Sequence, residues 1–340
     1  MDLSCLALLA ESFNLAERWR DALGLLDGVE LDARADISAI ERFHWAKGVA
    51  LRYLGKIRDA QHELRLVFSS QLNTNPSLAV SVLFSLVETM RECGDFTEGL
   101  AFLDDAASRI GRFATTRDRL RIALWRGVFN KNLMQDAIQF LWNAEVGRFV
   151  PDLSQAGIYH RRAEDAFAKA LVIGTTIEEV SANTDVAQIH SEMAETALWY
   201  AICHADACAE ADRRLEEFSA LLSLNPIVEQ QVEYHRYCAQ RAALGSCFDD
   251  ARVALEMARK VAATHGMSFL ETDCDMDWAR FILNADRPFP PGEIDAAAAC
   301  VNAALTYYRD HLGSDTYYAR IAELLIRALE VKARTAALSS

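Results

Sequence analysis

Small and large apolar positions recur along the chain at a helical period. A small residue is followed by apolar residues four and seven positions later: Ala22, Leu26, Val29; Ala60, Leu64, Val67; Gly99, Leu103, Ala106; Ala137, Leu141, Ala144. Positions four and seven apart lie on one face of a helix. The four anchors are spaced by 38, 39 and 38 residues. Twelve positions before them stand Ala10, Gly48, Val87 and Trp125, each inside an earlier apolar-periodic stretch. Five before them stand Glu17, Gly55, Gly94 and Asn132, where a turn belongs. The pattern predicts helix–turn–helix units whose two helices cross closely at small residues. Such a unit buries little alone, so neighbours stack and share a core.

The second half continues less regularly. Ala211 anchors a unit with Trp199 twelve before it, Leu215 four after and Phe218 seven after. Ala251 anchors another with Phe248, Leu255 and Ala258. A further helix pair is expected around 268–284 and 293–310, joined by the loop Arg287-Pro288-Phe289-Pro290-Pro291, and a last helix at about 314–336 closes the array. Pro76, Pro151 and Pro226 fall where second helices should stop, and Gly111, Gly174, Gly266 and Gly313 end apolar-periodic runs. The stretch 147–184 departs from the scheme: one helix from Pro151 to Val172 carries Ala163, Phe167 and Ala170 in the second-helix pattern, but no regular first helix can run through Pro151. The expected organisation is four regular repeats over 1–150, an irregular helical joint over 151–184, and degenerate repeats with a capping helix over 185–340. An irregular joint of this kind is a plausible hinge.

These units resemble the tetratricopeptide family, where a small residue midway along helix A and an Ala near the start of helix B let the helices approach. That unit is usually about 34 residues long; the longer spacing here is similar to the helical sensor regions of large bacterial ATP-dependent transcription activators, most of all over Ala251–Leu270. Those proteins also carry nucleotide- and DNA-binding domains, and this chain has neither a GxxxxGK[ST] loop nor a basic helix-turn-helix. The resemblance implies an all-α, right-handed superhelical solenoid of about 7–8 helix pairs, with an inner concave surface built from the A helices.

Composition fits. Pro (6) and Gly (15) are too scarce in 340 residues for an all-β fold with its frequent turns. The net charge of −14 opposes sequence-independent nucleic-acid binding, which needs clustered Lys and Arg. The eight cysteines include no CxxC pair and read as thiols of a reducing compartment. No signal-peptide n-region and no long apolar run are present, so the expected location is the cytoplasm and no membrane contact is expected.

On the expected A-helix face, the units contribute Trp45, Arg52, Phe84, Arg91, Arg119, Arg126, Phe129, Asn130, Tyr200, His204 and Arg236 as candidate groove residues. With Arg42, Glu88 and Glu92, units two to four offer five Arg against two Glu, a face suited to an acidic or carboxylate-bearing protein segment. The alternative is a solvated face whose Arg residues pair with neighbouring Glu. Trp125 and Trp199 are expected in the core, and Trp45 one step off it. The Lys and Asn clamp of the chaperone-binding branch is not expected, because Trp45, Val49, Phe84 and Glu88 stand at those positions.

No catalytic motif, cofactor site or metal site is predicted. In the acidic run Glu271, Asp273, Asp275, Asp277, only Asp273 and Asp277 share a helix face, with Glu271 and Asp275 forming a separate pair. Of Cys203, His204 and Cys208, only the last two are four apart, and no zinc-like partner pair follows. The reading is a non-enzymatic scaffold or adaptor holding a partner protein or peptide in its groove; the alternative is a ligand- or peptide-sensing module of a bacterial regulatory system.

Overall fold

A computed structural model describes the chain except residues 1, 17, 32–35, 75, 140–141, 144–147, 150, 178–180, 225–226, 286 and 340. The expected turn residue Glu17, the helix-B positions Leu141 and Ala144, and the helix-ending Pro226 fall outside the described residues. What is described is all-α, apart from a two-residue antiparallel ladder pairing Trp142 with Phe149 and Asn143 with Arg148. The helices follow in antiparallel pairs: α1 (Leu3–Leu15) with α2 (Trp19–Leu26), α3 (Ile37–Tyr53) with α4 (Ile57–Thr74), α5 (Pro76–Cys93) with α6 (Phe96–Ile110). Then come α7 (Thr116–Gln139) with α8 (Leu153–Gly174), α9 (Ser181–Ala201) with α10 (Cys208–Leu224), and α11 (Val228–Leu244) with α12 (Phe248–Thr264). The last are α13 (Ser268–Asn284) with α14 (Pro291–His311), and α15 (Tyr317–Ser339).

The anchors sit where close packing demands small residues. Ala22, Ala60, Ala211 and Ala251 are wholly buried, as are Leu64 after Ala60, Leu103 after Gly99 and Phe218 after Ala211. In the second pair, a Cβ added to Gly48 of α3 would lie 3.0 Å from the Leu64 side chain of α4, so the helices cross with no room for a larger residue.

The fourth unit corrects the sequence reading. No turn forms at Asn132: α7 runs through it, Asn132 is buried inside the helix, and Ala137 lies near the helix end instead of opening a second one. The reason is local. Gly55 and Gly94 form the earlier turns with φ of 75° and 78°, a conformation that costs glycine little, whereas Asn132 continues the helix instead of breaking it. The true partner of α7 is α8, anchored by buried Ala163, with Phe167 four and Ala170 seven positions later. Gly127 takes the crossing position, and a Cβ there would lie 2.2 Å from a carbon of the Phe167 ring. In the sixth pair, Ser246 stands at the turn position of Gly55 and Gly94 and adopts their left-handed backbone, with φ 60°.

The chain divides into two compact units, Met1–Asp118 with Thr306–Arg320, and Arg119–Leu305 with Ile321–Ser340. The first has a small-residue core at its N-terminal end, where Ala7, Ala10 and Ala22 meet Leu26, Phe43, Ala46 and Ala50. It also receives the turn between α14 and α15. A Cβ on Gly55 would lie 2.7 Å from the Leu312 carbonyl carbon. Arg320 donates to the Cys93 carbonyl (2.7 Å), and Tyr317 meets the Phe96 ring edge-on at 4.8 Å. The second unit contains several apolar clusters, two of which bear on the helix pairing. One joins Leu120, Ala123, Leu124 and Val128 of α7 to Ala163, Phe167 and Ala170 of α8 and Ile189 and Met193 of α9. The other joins α9, α10 and α11 around Phe218. Trp199 is core, 6% exposed, whereas Trp125 packs on the edge of its cluster and is half-buried.

If the Gly127–Phe167 crossing sets the fourth pair, Gly127→Ala costs about 1–3 kcal/mol by overpacking. Phe167→Leu in the same chain returns part of it, read from urea midpoints.

Candidate functional site

The A helices carry the candidate residues, and the structure sorts those residues by what surrounds them. In the first unit, Arg52 at the end of α3 reaches α5, meeting Glu92 at 2.9 Å and Glu88 at 2.5 Å. Both carboxylates raise the guanidinium's hold on its proton against the opposing effect of burial. Phe84 is not on an open face: it is 3% exposed, because α5 is apolar on nearly every side, with Val80, Val82, Leu83, Leu86, Val87 and Met90 also buried. Trp45 and Arg91 are half-buried. Tyr53 is exposed and stacks on Trp19 with ring centroids 4.6 Å apart, beside a recess of about 370 Å³ that Arg18, Arg20 and His311 also line.

In the second unit, Arg119 is exposed and Arg126 half-buried, two turns apart on α7. Phe129 is wholly buried, and Asn130 is buried with its Nδ2 donating to the Arg126 carbonyl at 2.8 Å. Both are drawn inward because α7, like α5, is covered on most of its circumference between Leu120 and Gln139. Tyr200 lies between two imidazoles, stacked on His160 of α8 at 3.9 Å and against His204 at 4.3 Å. Burial, then the charge of His204, pushes the His160 imidazole down to about 4, so at neutral pH that ring is uncharged. Arg236 of α11 is taken up by α13: its Nη1 meets Asp273 at 3.0 Å and its Nε meets Asp277 at 2.7 Å. The shared face of Asp273 and Asp277 therefore holds a guanidinium, while Asp275 pairs separately with Arg259.

The sequence reading passed over the most enclosed charges. Lys131 of α7 is 5% exposed and inserts between Glu192 (2.5 Å) and Glu195 of α9, with Gln135 donating to Glu195 at 2.9 Å. One turn along, Ser191 donates to Glu233 of α11 at 2.6 Å and lies 3.2 Å from the Tyr237 hydroxyl. Burial, reinforced by Glu192, Glu229 and Glu195, pushes the Glu233 carboxyl up to about 7. Successive A helices are thus joined by buried polar contacts, from Lys131 through Glu195 and Glu233 to Arg236 and Asp277. A lysine amid Phe129, Leu133 and Met134 was the one hint in the sequence. Among the described residues no group of three or more His, Cys, Asp or Glu is placed to hold a metal, and no helix is long and apolar enough to cross a membrane.

No known family model matches the chain, and no curated protein matches it in sequence. Among solved structures, a Rap protein complexed with competence and sporulation factor superposes over 99% of both chains, with a TM-score of 0.55 at 11% identity. The fold is a tetratricopeptide-like helical repeat. A tetratricopeptide repeat protein from Parabacteroides merdae (15% identity, 86% of this chain and 99% of that one, TM-score 0.35) and yeast Tom70 (12%, 97% and 81%, TM-score 0.29) align too loosely to add to that.

Two outcomes follow from the buried charges. Lys131→Met strands two glutamates and costs about 3–5 kcal/mol of stability by chemical denaturation. For Glu233, the unfolded carboxyl ionises near 4.3 and the folded one near 7, so the native state keeps a proton that the unfolded state loses between those values. Stability falls as pH rises through that window and levels off above 7. Glu233→Gln removes the fall, gaining of order 1–3 kcal/mol over the parent at pH 8 relative to pH 4; parallel curves for the two proteins would contradict the assignment.

Proposed function

We propose that the chain is a non-catalytic interaction module whose A-helix faces hold a segment of a partner protein or a peptide. The observation that supports this most directly is the exposure of Arg119 near the start of α7, two turns from half-buried Arg126 on the same helix face. A partner segment with carboxylates spaced along it suits them, since guanidinium–carboxylate pairs are planar and directional. Trp45 and Arg91 in the first unit, and Tyr200 and His204 in the second, are the remaining candidates with surface to offer. The Rap protein of like fold was captured with a bound factor, which agrees with a binding role.

A second reading makes this module a sensor in a regulatory system, as the resemblance to transcription-activator sensor regions suggests. The buried Glu233 cluster favours it, because a carboxyl poised near 7 between α9 and α11 lets binding and protonation influence each other.

The test is capture of partners from native extract by the full chain beside Arg126→Glu, with equal folding checked by circular dichroism. The variant should lose the principal partner, by ten-fold or more in recovered amount. Identical partner lists would remove α7 from the binding face.

A further inference from the structure

Helix α1 has the make-up of an enclosed helix but is covered on one side only. Its thirteen residues, LSCLALLAESFNL, include one charge, Glu11, whose carboxylate accepts a bond from Arg42 of α3 at 3.4 Å. Toward α2 and α3 it presents buried Ala7 and Ala10, and Asn14 donates to the Ala46 carbonyl at 2.9 Å. The opposite side is open. Leu8, Leu9 and Leu15 are 48%, 39% and 88% exposed, and Cys5 and Ser12 beside them are exposed as well. Among the described residues no other helix shows three large apolar side chains to solvent. A helix that is apolar nearly all round and open on one side is a helix still missing a neighbour.

The open side is a seam. Cys5, Leu8, Ser12 and Leu15 are spaced three, four and three apart, the alternation that keeps one stripe of a helix against a second helix, and Leu9 widens it. Against an antiparallel copy, with the two-fold axis at the level of residue 10, Cys5 meets Leu15 and Leu8 meets Ser12 of the second copy. Every layer then pairs a leucine with a small residue, so facing side chains interdigitate. A parallel pair would set Leu on Leu and Ser on Ser, leaving layers of unequal width. Ser12 is ready for burial: its hydroxyl donates to the Leu8 carbonyl at 2.9 Å, so no donor is stranded. The antiparallel register also brings Asp2, ahead of α1, to the level of Arg18, just past its end, in the second copy, and opposes the two helix dipoles.

We propose that α1 is a self-association helix, through which two copies of this chain form a reversible two-fold dimer across Cys5, Leu8, Leu9, Ser12 and Leu15. A helix of thirteen residues is about 20 Å long. One such crossing buries an area at the small end of specific interfaces, roughly 1,200 Å² or less in all, so the dimer is a weak one, in the micromolar range. An anionic membrane is the wrong cover: α1 carries no Lys or Arg, and a chain of net charge −14 is repelled by such a surface. The dimer rests on α1 alone and stands whether or not the α7 reading holds.

Sedimentation equilibrium of the full chain, from sub-micromolar to several hundred micromolar, should show the average mass rising from one copy toward two. Leu8→Lys and Ser12→Asp, both at exposed positions, should each weaken association at least ten-fold with an unchanged circular dichroism spectrum. Mixed together they should recover it, because the antiparallel register sets the new lysine against the new aspartate; in a parallel pair the two do not face. Under mild oxidation, Leu15→Cys should give a dimer linked between Cys5 and the introduced thiol, identified by peptide mapping. In the parent, Cys5 should not link to its own copy, from which the register holds it about 15 Å along the axis. The parent's mass decides the matter even if a variant does not fold. A chain that stays monomeric throughout, a dimer untouched by Leu8→Lys, mixed variants that do not recover, or a Cys5–Cys5 link in the parent would overturn the proposal. So would a monomer that binds phosphatidylcholine vesicles through the same leucines.

Discussion

Everything in this fold depends on how closely helix A and helix B of one pair can approach. The distance is set by a small residue on one helix facing the residue four beyond the anchor on the other: Gly48 against Leu64, Gly127 against Phe167. Where the crossing is tight, the large side chains are forced outward along both helices and must find cover on the neighbouring pair. That requirement, repeated, makes the stack. It also accounts for α5 and α7, whose apolar and neutral positions are buried nearly all round.

The same enclosure governs the charges. A lysine or arginine on a surrounded A helix is acceptable only if a carboxylate meets it, because an unpaired buried charge costs several kcal/mol. Lys131 with Glu192 and Glu195, and Arg236 with Asp273 and Asp277, are that solution, and each pair joins consecutive A helices. Such pairs fix which helices are neighbours and at what register, a kind of specificity that apolar contact alone supplies poorly. They also narrow what the A faces can offer to a partner, since a guanidinium already held by two carboxylates has little left to give.

The sequence revealed the fold to the extent that it could be read within one helix pair. The anchors at Ala22, Ala60 and Gly99, the second-half anchors at Ala211 and Ala251, and the last three helices were legible, because their pattern is local and periodic. The fourth unit was misread because Ala137 and Leu141 imitate the second-helix pattern, while Asn132 lacks the glycine that ends a helix; the true anchor, Ala163, lies beyond an insertion. Ser246 is the converse, a left-handed turn that forms without a glycine. The candidate site was legible only in part. Arg126 is placed by helical spacing alone, but the partners that neutralise Arg52 and Arg236 lie 40 and 41 residues away, and the glutamate that grips Lys131 lies 64 away. No helical period connects such positions. Phe84 and Phe129 were assigned to an open face for the same reason, as covering by the next helix cannot be counted from one helix's own residues.

The seat of the α14–α15 turn on Gly55 and Gly94 matters most for the order of events during synthesis. Repeat arrays are usually treated as strings of nearest neighbours, in which each unit can settle as soon as the next has emerged. Here the Cys93 carbonyl waits for a donor 227 residues downstream. The N-terminal repeats are translated before their closing contacts, and the unit they belong to is completed only when the residues through Arg320 have left the ribosome. Its closing contacts bear the loop-closure entropy of the entire intervening polypeptide.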